Sequence, residues 1–318
     1  MPAAPPARPG QRPVRLARPA ALLLLALAAS AAPARGQTFD DGLMVPRGQL
    51  RTTVEYASEQ WDEYWEGPLK RRNENIGTVT TRSLGWTGGY GVTGRVSLLA
   101  TLPYVWTSAS QGVLQGMQGR QDLTVAAKVR VLQRAVGGRA TVGATALVGA
   151  GLPTSDYTPD FLPLSIGLGA RRALARGALH LQDRGGLFAG ASAAHNWRST
   201  VHLDRPAYYT DGNLVLSDEV AMPDVFEYAV GAGFQNTRWC IPVMLAGQRT
   251  LGGGDIRRQD MPFLSNRMNF TRVQARVMYT LPKLPGLAVQ AGVVRTLSGR
   301  NVGQSTLISG GLTSALHL

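Results

Sequence analysis

The chain has 318 residues, with 33 lysine and arginine residues against 20 acidic residues, a formal charge of +13, and one cysteine. With Cys240 alone, an intramolecular disulfide is excluded. The basic residues are scattered and not gathered into a basic helix or stripe, which argues against a nucleic-acid partner.

The first 36 residues have the three-part pattern of a secretory signal peptide. Four arginines without an acidic residue precede an apolar stretch too short for a comfortable membrane span, and small residues follow. We expect cleavage after Ala34 or after Gly36, which leaves residues 37–318 as a single domain. Removing residues 1–36 takes away five arginines and no acid, so the mature chain carries 28 basic and 20 acidic residues, a balance of +8.

Residues 121–132 alternate between two kinds of side chain. Val125 and Val129 fall on one face of an extended strand, and Lys128 and Arg130 fall on the other. The same alternation recurs many times after the export signal, and the mature sequence contains no long apolar helix. This combination predicts a β-barrel whose apolar face meets lipid and whose polar face meets a lumen.

Alternating segments can be placed in chain order along the whole mature sequence. We predict strands at about residues 48–60, 77–91, 96–106, 121–132, 139–151, 164–182, 187–198, 226–235, 239–250, 271–279, 287–296 and 305–318. In the sixth segment, Ile166, Leu168 and Ala170 are expected on the outer face, and residues 171–176 fit either a short helix or a frayed strand. An even number of strands suits a chain with both termini in the periplasm, and short turns after even strands with longer loops after odd ones are typical of an outer-membrane barrel. The predicted fold is all-β, an antiparallel transmembrane barrel of about twelve strands, with ten to fourteen compatible with the pattern.

Several short motifs near the predicted turns are similar to those of a known family. They are Tyr-Gly-Val-Thr-Gly-Arg-Val-Ser at residues 90–97, Leu-Pro-Tyr-Val at 102–105, Gln-Gly-Arg-Gln-Asp-Leu at 118–123 before Lys128, and Ser-Gly-Arg-Asn-Val-Gly-Gln at 298–304. With these motifs the chain resembles the family of outer-membrane proteins associated with the phenol meta-cleavage pathway. The resemblance implies an outer-membrane β-barrel and a channel or transporter for small compounds, hydrophobic or aromatic ones among them.

Two sets of residues follow from the predicted faces. Nine polar residues are predicted to line the lumen: Arg51, Glu55, Lys128, Arg130, Glu227, Arg272, Gln274, Arg276 and Gln290. Four aromatic residues are predicted to form girdles at the lipid–water boundary: Tyr104, Trp106, Trp239 and Tyr279. The lumen is either a wet pore, whose charges need no partner, or a closed interior in which acids pair with arginines. The sequence favours neither alternative.

No catalytic signature is present, and we expect neither an enzyme nor a bound cofactor or metal. The weakest alternative is a lipid hydrolase built on His195 with Ser192 or Ser199, although Asn196 would face away from His195 on a strand. An acidic loop is expected to be a solvated surface and not a cation site. It contains Asp204, Asp211, Asp218, Glu219 and Asp224.

We therefore expect an outer-membrane channel or transporter for the passive passage of small solutes, with its excess of arginine and lysine favouring anionic or polar ones. A second alternative is a non-conducting structural or adhesive barrel whose outer loops do the work. Expected partners are outer-membrane lipid, the solute, and the barrel-assembly machinery during biogenesis. Leu318 stands where such barrels usually end in an aromatic residue, which weakens the assembly signal.

Overall fold

The computed structural model of the protein describes residues 38–257, 261–284 and 286–318. The predicted signal peptide and both of its cleavage sites lie outside the described residues. Within these ranges the regular secondary structure consists of β-strands, and no helix is long and apolar enough to span a membrane.

Twelve long strands form the body of the described chain. They are β1 (Gln49–Trp61), β2 (Val79–Gly91), β3 (Val96–Ala109), β4 (Asp122–Val136), β5 (Ala140–Pro153), β6 (Arg172–Asp183), β7 (Leu187–Arg198), β8 (Val225–Gln235), β9 (Trp239–Thr250), β10 (Asn269–Thr280), β11 (Leu287–Arg300) and β12 (Thr306–His317). Each strand pairs antiparallel with the next. Strand β12 also pairs with β1, from Gln49 opposite His317 to Gln60 opposite Thr306. The sheet therefore closes on itself, as a lipid bilayer requires, and the predicted all-β barrel of twelve strands is confirmed.

The connections give the barrel two different ends. Those after even-numbered strands have three to six residues, whereas those after odd-numbered strands have 12 to 26, except for five after β11. We call these the turn end and the loop end. The start of β1 and the end of β12 both lie at the turn end.

The outer face is apolar because alternate residues of each strand are apolar. On β3, Leu98 is half exposed while its neighbour Ser97 is buried. On β4, Val125 and Val129 are exposed, and Lys128 between them is buried. A cationic side chain on the lipid face at the membrane midplane would cost about 2–4 kcal/mol, so this pattern determines which face turns outward.

The four predicted girdle residues lie on the outer face as two ring pairs. Tyr104 and Trp106, near the loop end of β3, have ring centroids 4.9 Å apart. Trp239 and Tyr279, on paired positions of β9 and β10 at the turn end, have centroids 4.5 Å apart. One aromatic pair therefore stands near each end of the outer face.

The sixth strand differs from its prediction. It begins at Arg172 and not near residue 164, and the short helix considered for its first residues does not form. Ile166 and Ala170, expected on the outer face, are buried, and Leu168 packs against an apolar cluster of the loops that includes Ala170. That expectation was wrong because Gly169, with φ +70°, turns the chain between the apolar run and the strand.

Strand β4 continues past the rim of the barrel. Strand β3 starts opposite Val129, so in the described chain β4 beyond Arg130 pairs with β5 only. A bulge between Arg130 and Leu132 leaves Val131 as an extra residue, 67% exposed. The regular alternation therefore ends at Arg130, and the β4–β5 hairpin projects from the turn end.

Three loops at the loop end pack together into what we call the loop cap. They comprise residues 154–171, residues 199–224, and residues 251–257 with 261–268. Burying a large apolar side chain contributes about 1.5–3 kcal/mol, so the cap has a core of its own. This core contains Ala170, Val201, Leu203, Tyr208, Val220, Met222, Phe263 and Leu264.

Asn301 ties the loop cap to the barrel. Its side chain is almost fully buried, and its Oδ1 accepts hydrogen bonds from the amides of Gly67 at 2.8 Å and Ile256 at 3.0 Å. Its Nδ2 donates to Asp255 Oδ1 and to the carbonyl of Arg267, both at 2.8 Å. One amide thus joins the connections that follow β1, β9 and β11.

Asp255 completes this junction as a carboxylate. Arg300 Nε donates to Asp255 Oδ1 at 2.7 Å, and Arg300 Nη2 donates to the other oxygen. The bonds from Arg300 and then from Asn301 lower the pKa of Asp255 to about 2. We call the group Asp255, Arg300 and Asn301 the loop clasp.

Candidate pore

Residues 38–45, which precede β1, lie inside the barrel, and we call them the N-terminal segment. The amide of Val45 donates to Ser97 Oγ of β3 at 3.1 Å. Val45 also packs in a buried cluster along β3 to β6, formed with Leu99, Ala126, Leu147, Leu174 and the partly buried Phe39. We call this side of the lumen the filled wall. The sequence analysis assigned no role to the segment.

Gly42 brings the segment into close contact with β6. A Cβ at this position would lie 2.7 Å from the Cβ of His180, closer than carbon atoms can pack. Any larger residue would therefore push the segment away from the wall.

Lys128, predicted to line the lumen, anchors the N-terminal segment. Its side chain is 1% exposed, and its Nζ donates to the carbonyls of Thr38 at 2.8 Å, Asp41 at 2.9 Å and Leu43 at 3.3 Å. The same Nζ forms an ion pair with Asp41 Oδ1 at 3.0 Å. A buried ammonium must be paired and hydrogen-bonded, and the segment supplies all four of these acceptors.

Arg176 on β6 is the second anchor. Its Nη2 contacts Asp40 Oδ1 of the segment at 3.0 Å and also pairs with Glu227, a predicted lumen residue on β8. Its Nη1 donates to Ser192 Oγ at 3.3 Å. Arg176 therefore connects the segment to three neighbouring strands.

Glu55, Arg276 and Gln290, all predicted lumen residues, form one group across the β10–β11–β12–β1 side. Gln290 Nε2 donates to Glu55 Oε2, and Arg276 Nη2 lies 3.6 Å from the same oxygen. Nearer the loop end, Arg272 pairs with Glu59 at 3.3 Å and lies over the Phe270 ring at 4.2 Å. These arginines are partly neutralised by acids of β1.

The last three predicted lumen residues lie apart from one another. Arg51 is buried, and its Nε donates to Gln49 Oε1 at 2.7 Å. Arg130 lies at the turn end opposite Thr145, and Gln274 Nε2 is 3.7 Å from Met244 Sδ. The nine residues thus share the inner face without forming a single site.

A cavity of about 300 Å³ remains between the N-terminal segment and the strands from β7 to β12. We call this side the open wall. Apolar and polar side chains alternate around the cavity, so it can accommodate a small molecule that has both kinds of surface. Its lining includes Phe188, Met244, Met278, Leu307, Gln274 and Arg276.

Three arginines of the inner face were not among the predicted lumen residues: Arg172, Arg176 and Arg198. Strand β6 carries the signal that could have found the first two. From residue 173 to 181 its odd positions are Ala, Ala, Gly, Leu and Leu, while even positions include Arg176 and His180. Because Arg172 and Arg176 flank alanine-rich positions, the same stretch also resembles a helix.

The hydrolase residues do not assemble. Ser192 lies on the inner face, where Arg176 donates to it, whereas His195 lies on the outer face. His195 Nε2 is 3.0 Å from Asp224 Oδ2, and this bond lowers the pKa of Asp224. Ser199 Oγ donates to the carbonyl of Thr200. The described residues thus hold no serine beside the His195–Asp224 pair.

The acidic loop does not gather its carboxylates. Asp211 faces Arg257, and Asp218 faces His202. Among the described residues, no group of three or more potential metal ligands comes together. Cys240 lies in the cavity, with Sγ 3.7 Å from Gln235 Oε1.

No family model matches the chain, and no curated protein matches it either. Solved structures do. The COG4313 outer membrane channel from Pseudomonas putida F1 is 15% identical, covers 89% of this chain and 100% of its own, and has a TM-score of 0.70. At this identity the likeness is one of fold: both chains form the same kind of antiparallel β-barrel.

Two other barrels are less similar. The NanC porin is 9% identical, with 83% of this chain and 98% of its own covered and a TM-score of 0.45. A Pseudomonas aeruginosa homologue of FadL is 14% identical, with 85% and 90% covered and a TM-score of 0.39.

Proposed function

We propose that the protein is a passive channel of the outer membrane for small solutes. The observation that carries the proposal is the cavity left along the open wall of a closed barrel whose opposite wall is filled. A barrel whose interior served stability alone would have its lumen packed by side chains. The shared fold with a protein described as an outer membrane channel supports the proposal.

The proposed orientation follows from the two ends. The turn end, with the start of β1 and the end of β12, faces the periplasm, and the loop cap faces the outside of the cell. Export would use residues 1–36 as a cleaved signal peptide, and insertion would use the barrel-assembly machinery. Outer-membrane lipid would contact the apolar outer face between the two aromatic pairs.

The proposed solutes are small compounds, with aromatic and hydrophobic ones among them. The cavity presents Phe188, Met244 and Met278 beside Gln274 and Arg276. Aromatic and thioether side chains bind flat apolar rings, and the neighbouring polar groups can hydrogen-bond to one substituent. The resemblance to the phenol-pathway family points to the same class of compounds.

Conductance of purified protein in planar bilayers tests the channel, and swelling of proteoliposomes tests the solute. We expect conductance and swelling with both arabinose and benzoate. Absence of both signals would contradict a channel. Conductance together with swelling in arabinose but not in benzoate would contradict the proposal of aromatic solutes. The proposal of a channel would still hold in that case.

A non-conducting structural or adhesive barrel is the second candidate, and one observation favours it. The loop cap has its own apolar core and is held by the loop clasp, so the outer surface is built as a stable body. Loss of cell adhesion on removal of the cap, together with zero conductance of the intact protein, would support this role instead.

A further inference from the structure

Two arginines face each other on the inner wall near the loop end. Arg172, the first residue of β6, is paired in register with Arg198, the last residue of β7. Directly opposite residues of antiparallel strands have Cβ atoms about 4.5–5.5 Å apart. Like charges in this position destabilise a sheet unless something compensates them.

Neither guanidinium has an ion-pair partner among the described residues. The side chain of Arg172 crosses over Gly151, so that a Cβ on residue 151 would lie 2.4 Å from Arg172 Nε. Arg172 Nη2 donates to Thr124 Oγ1 at 2.6 Å. This contact is with a neutral hydroxyl, and the buried Nε of Arg172 has no hydrogen-bond partner in the described chain. Within the described chain Arg198 donates only through its backbone amide, to Asp224 Oδ1 at 3.1 Å.

The nearby carboxylates are already engaged by other groups. Asp122 accepts a hydrogen bond from the Tyr157 hydroxyl at 3.0 Å. Asp224 is bound by His195 on the outer face, and Glu227 pairs with Arg176. Two positive charges on the inner wall are therefore left without a counter-charge at contact distance from these acids.

Asn196 adds a neutral donor beside the arginines. It lies two residues before Arg198 on β7, on the same inner face, and is 3% exposed. Its Nδ2 has no hydrogen-bond partner in the described chain. A buried amide donor without a partner is destabilising, and an acceptor from a ligand would give it the missing hydrogen bond.

We propose that Arg172, Arg198 and Asn196 form a binding site for the oxyanion of a small solute, a carboxylate or a phosphate. Guanidinium groups recognise such planar or tetrahedral oxyanions through paired N–H bonds. The site lies near the loop end, before the cavity of the open wall. It rests on the proposed passage of solutes, because a solute entering from the loop end would meet it first.

The site can be tested without conduction, by calorimetric titration of detergent-purified protein with benzoate, acetate and inorganic phosphate. We compare wild type with the double variant Arg172→Gln/Arg198→Gln. The control is Arg134→Gln/Arg139→Gln, which removes the same charge from the exposed β4–β5 hairpin. Losing two charge-assisted contacts should raise the Kd of the oxyanions that bind about tenfold or more, and the control should keep the wild-type Kd.

Thermal unfolding gives a second readout. Without ligand, Arg198→Gln should raise the Tm because it removes the like-charge pair, and benzoate should no longer shift that Tm. Binding of phosphate alone, abolished in the double variant, supports an oxyanion site for phosphate. No binding to wild type, or an equal Kd in wild type and double variant, overturns the site. Conductance with no oxyanion binding would leave the channel intact, so the two failures are distinguishable.

Discussion

The filled wall and the open wall of the lumen are built from the same kind of strand and differ in what covers them. Along β3 to β6, a buried lysine and an apolar cluster hold the N-terminal segment against the barrel. Along β7 to β12, apolar and polar side chains border a cavity. The difference shows that a barrel of intermediate size can narrow its lumen by filling one side, without a smaller number of strands.

The largest expected effect comes from releasing the filled wall. Lys128→Met removes the buried ammonium that pairs with Asp41 and bonds three carbonyls of the segment, so the free energy of unfolding should fall by about 3 kcal/mol. The segment should detach, and single-channel conductance should rise severalfold. Lys283→Met, in an exposed turn, is the matched control. An unchanged conductance with an unchanged unfolding midpoint would show that Lys128 does not hold the segment.

The opposite change closes the open wall. Met244→Trp fills the cavity with a larger side chain, so conductance should fall by about half or more while stability changes by less than about 1 kcal/mol, because the cavity has room. Val243→Trp, on the lipid face of the same strand, should leave conductance at the wild-type value. Equal currents in Met244→Trp and wild type would mean that solutes do not pass along this wall.

Charge on the open wall should influence which ions pass. Replacing Arg272 and Arg276 together by Gln removes two cations beside Glu59 and Glu55, so the preference for anions over cations should decrease. The reversal potential in a KCl gradient measures this preference. If the reversal potential stays at the wild-type value, these two arginines do not face the permeating ions.

The smallest expected effect concerns the loop clasp, which belongs to neither wall. The folded-state pKa of Asp255 is lowered, so its contribution is present above the unfolded pKa of about 4 and is lost as pH falls toward 2. Because the pair is partly exposed and screened by water, Asp255→Asn should destabilise the cap by about 1 kcal/mol at pH 7.

Limited proteolysis of the loops at pH 7 and at pH 3 measures this effect. Wild type should be cleaved faster at pH 3, and the Asn variant should be cleaved at a rate that depends less on pH. If the rates of the two proteins follow pH in parallel, the clasp does not depend on the Asp255 charge.

The outer face could be predicted from the sequence because its signal is local. A strand that meets lipid must alternate, and the spacing between Val125 and Val129 is visible within a few residues. The same holds for strand number and for the contrast between turns and loops. The start of strand β6 was predicted wrongly because the apolar run at Ile166 belongs to the loop cap. Arg172 and Arg176 also make the alternation that follows harder to recognise, since they flank alanine-rich positions that resemble a helix.

The inner face could not be predicted in the same way. The acceptors of Lys128 lie 85 to 90 residues earlier in the chain, and nothing in the neighbouring sequence identifies them. The N-terminal segment has no alternation, so it carries no local signal for its position inside the barrel. Likewise, the pairing of Arg172 with Arg198 depends on strand register, which the sequence defines only when both strand boundaries are known.

The position of the N-terminal segment has a consequence for how the barrel is assembled. The segment precedes β1, and the seam between β1 and β12 joins the two ends of the sheet around it. Closure must therefore trap the segment, or the segment must enter afterwards through the turn end. In either order, residues 38–45 must fit against the inner wall, so this segment has far less freedom to change than the exposed Leu318 that follows β12.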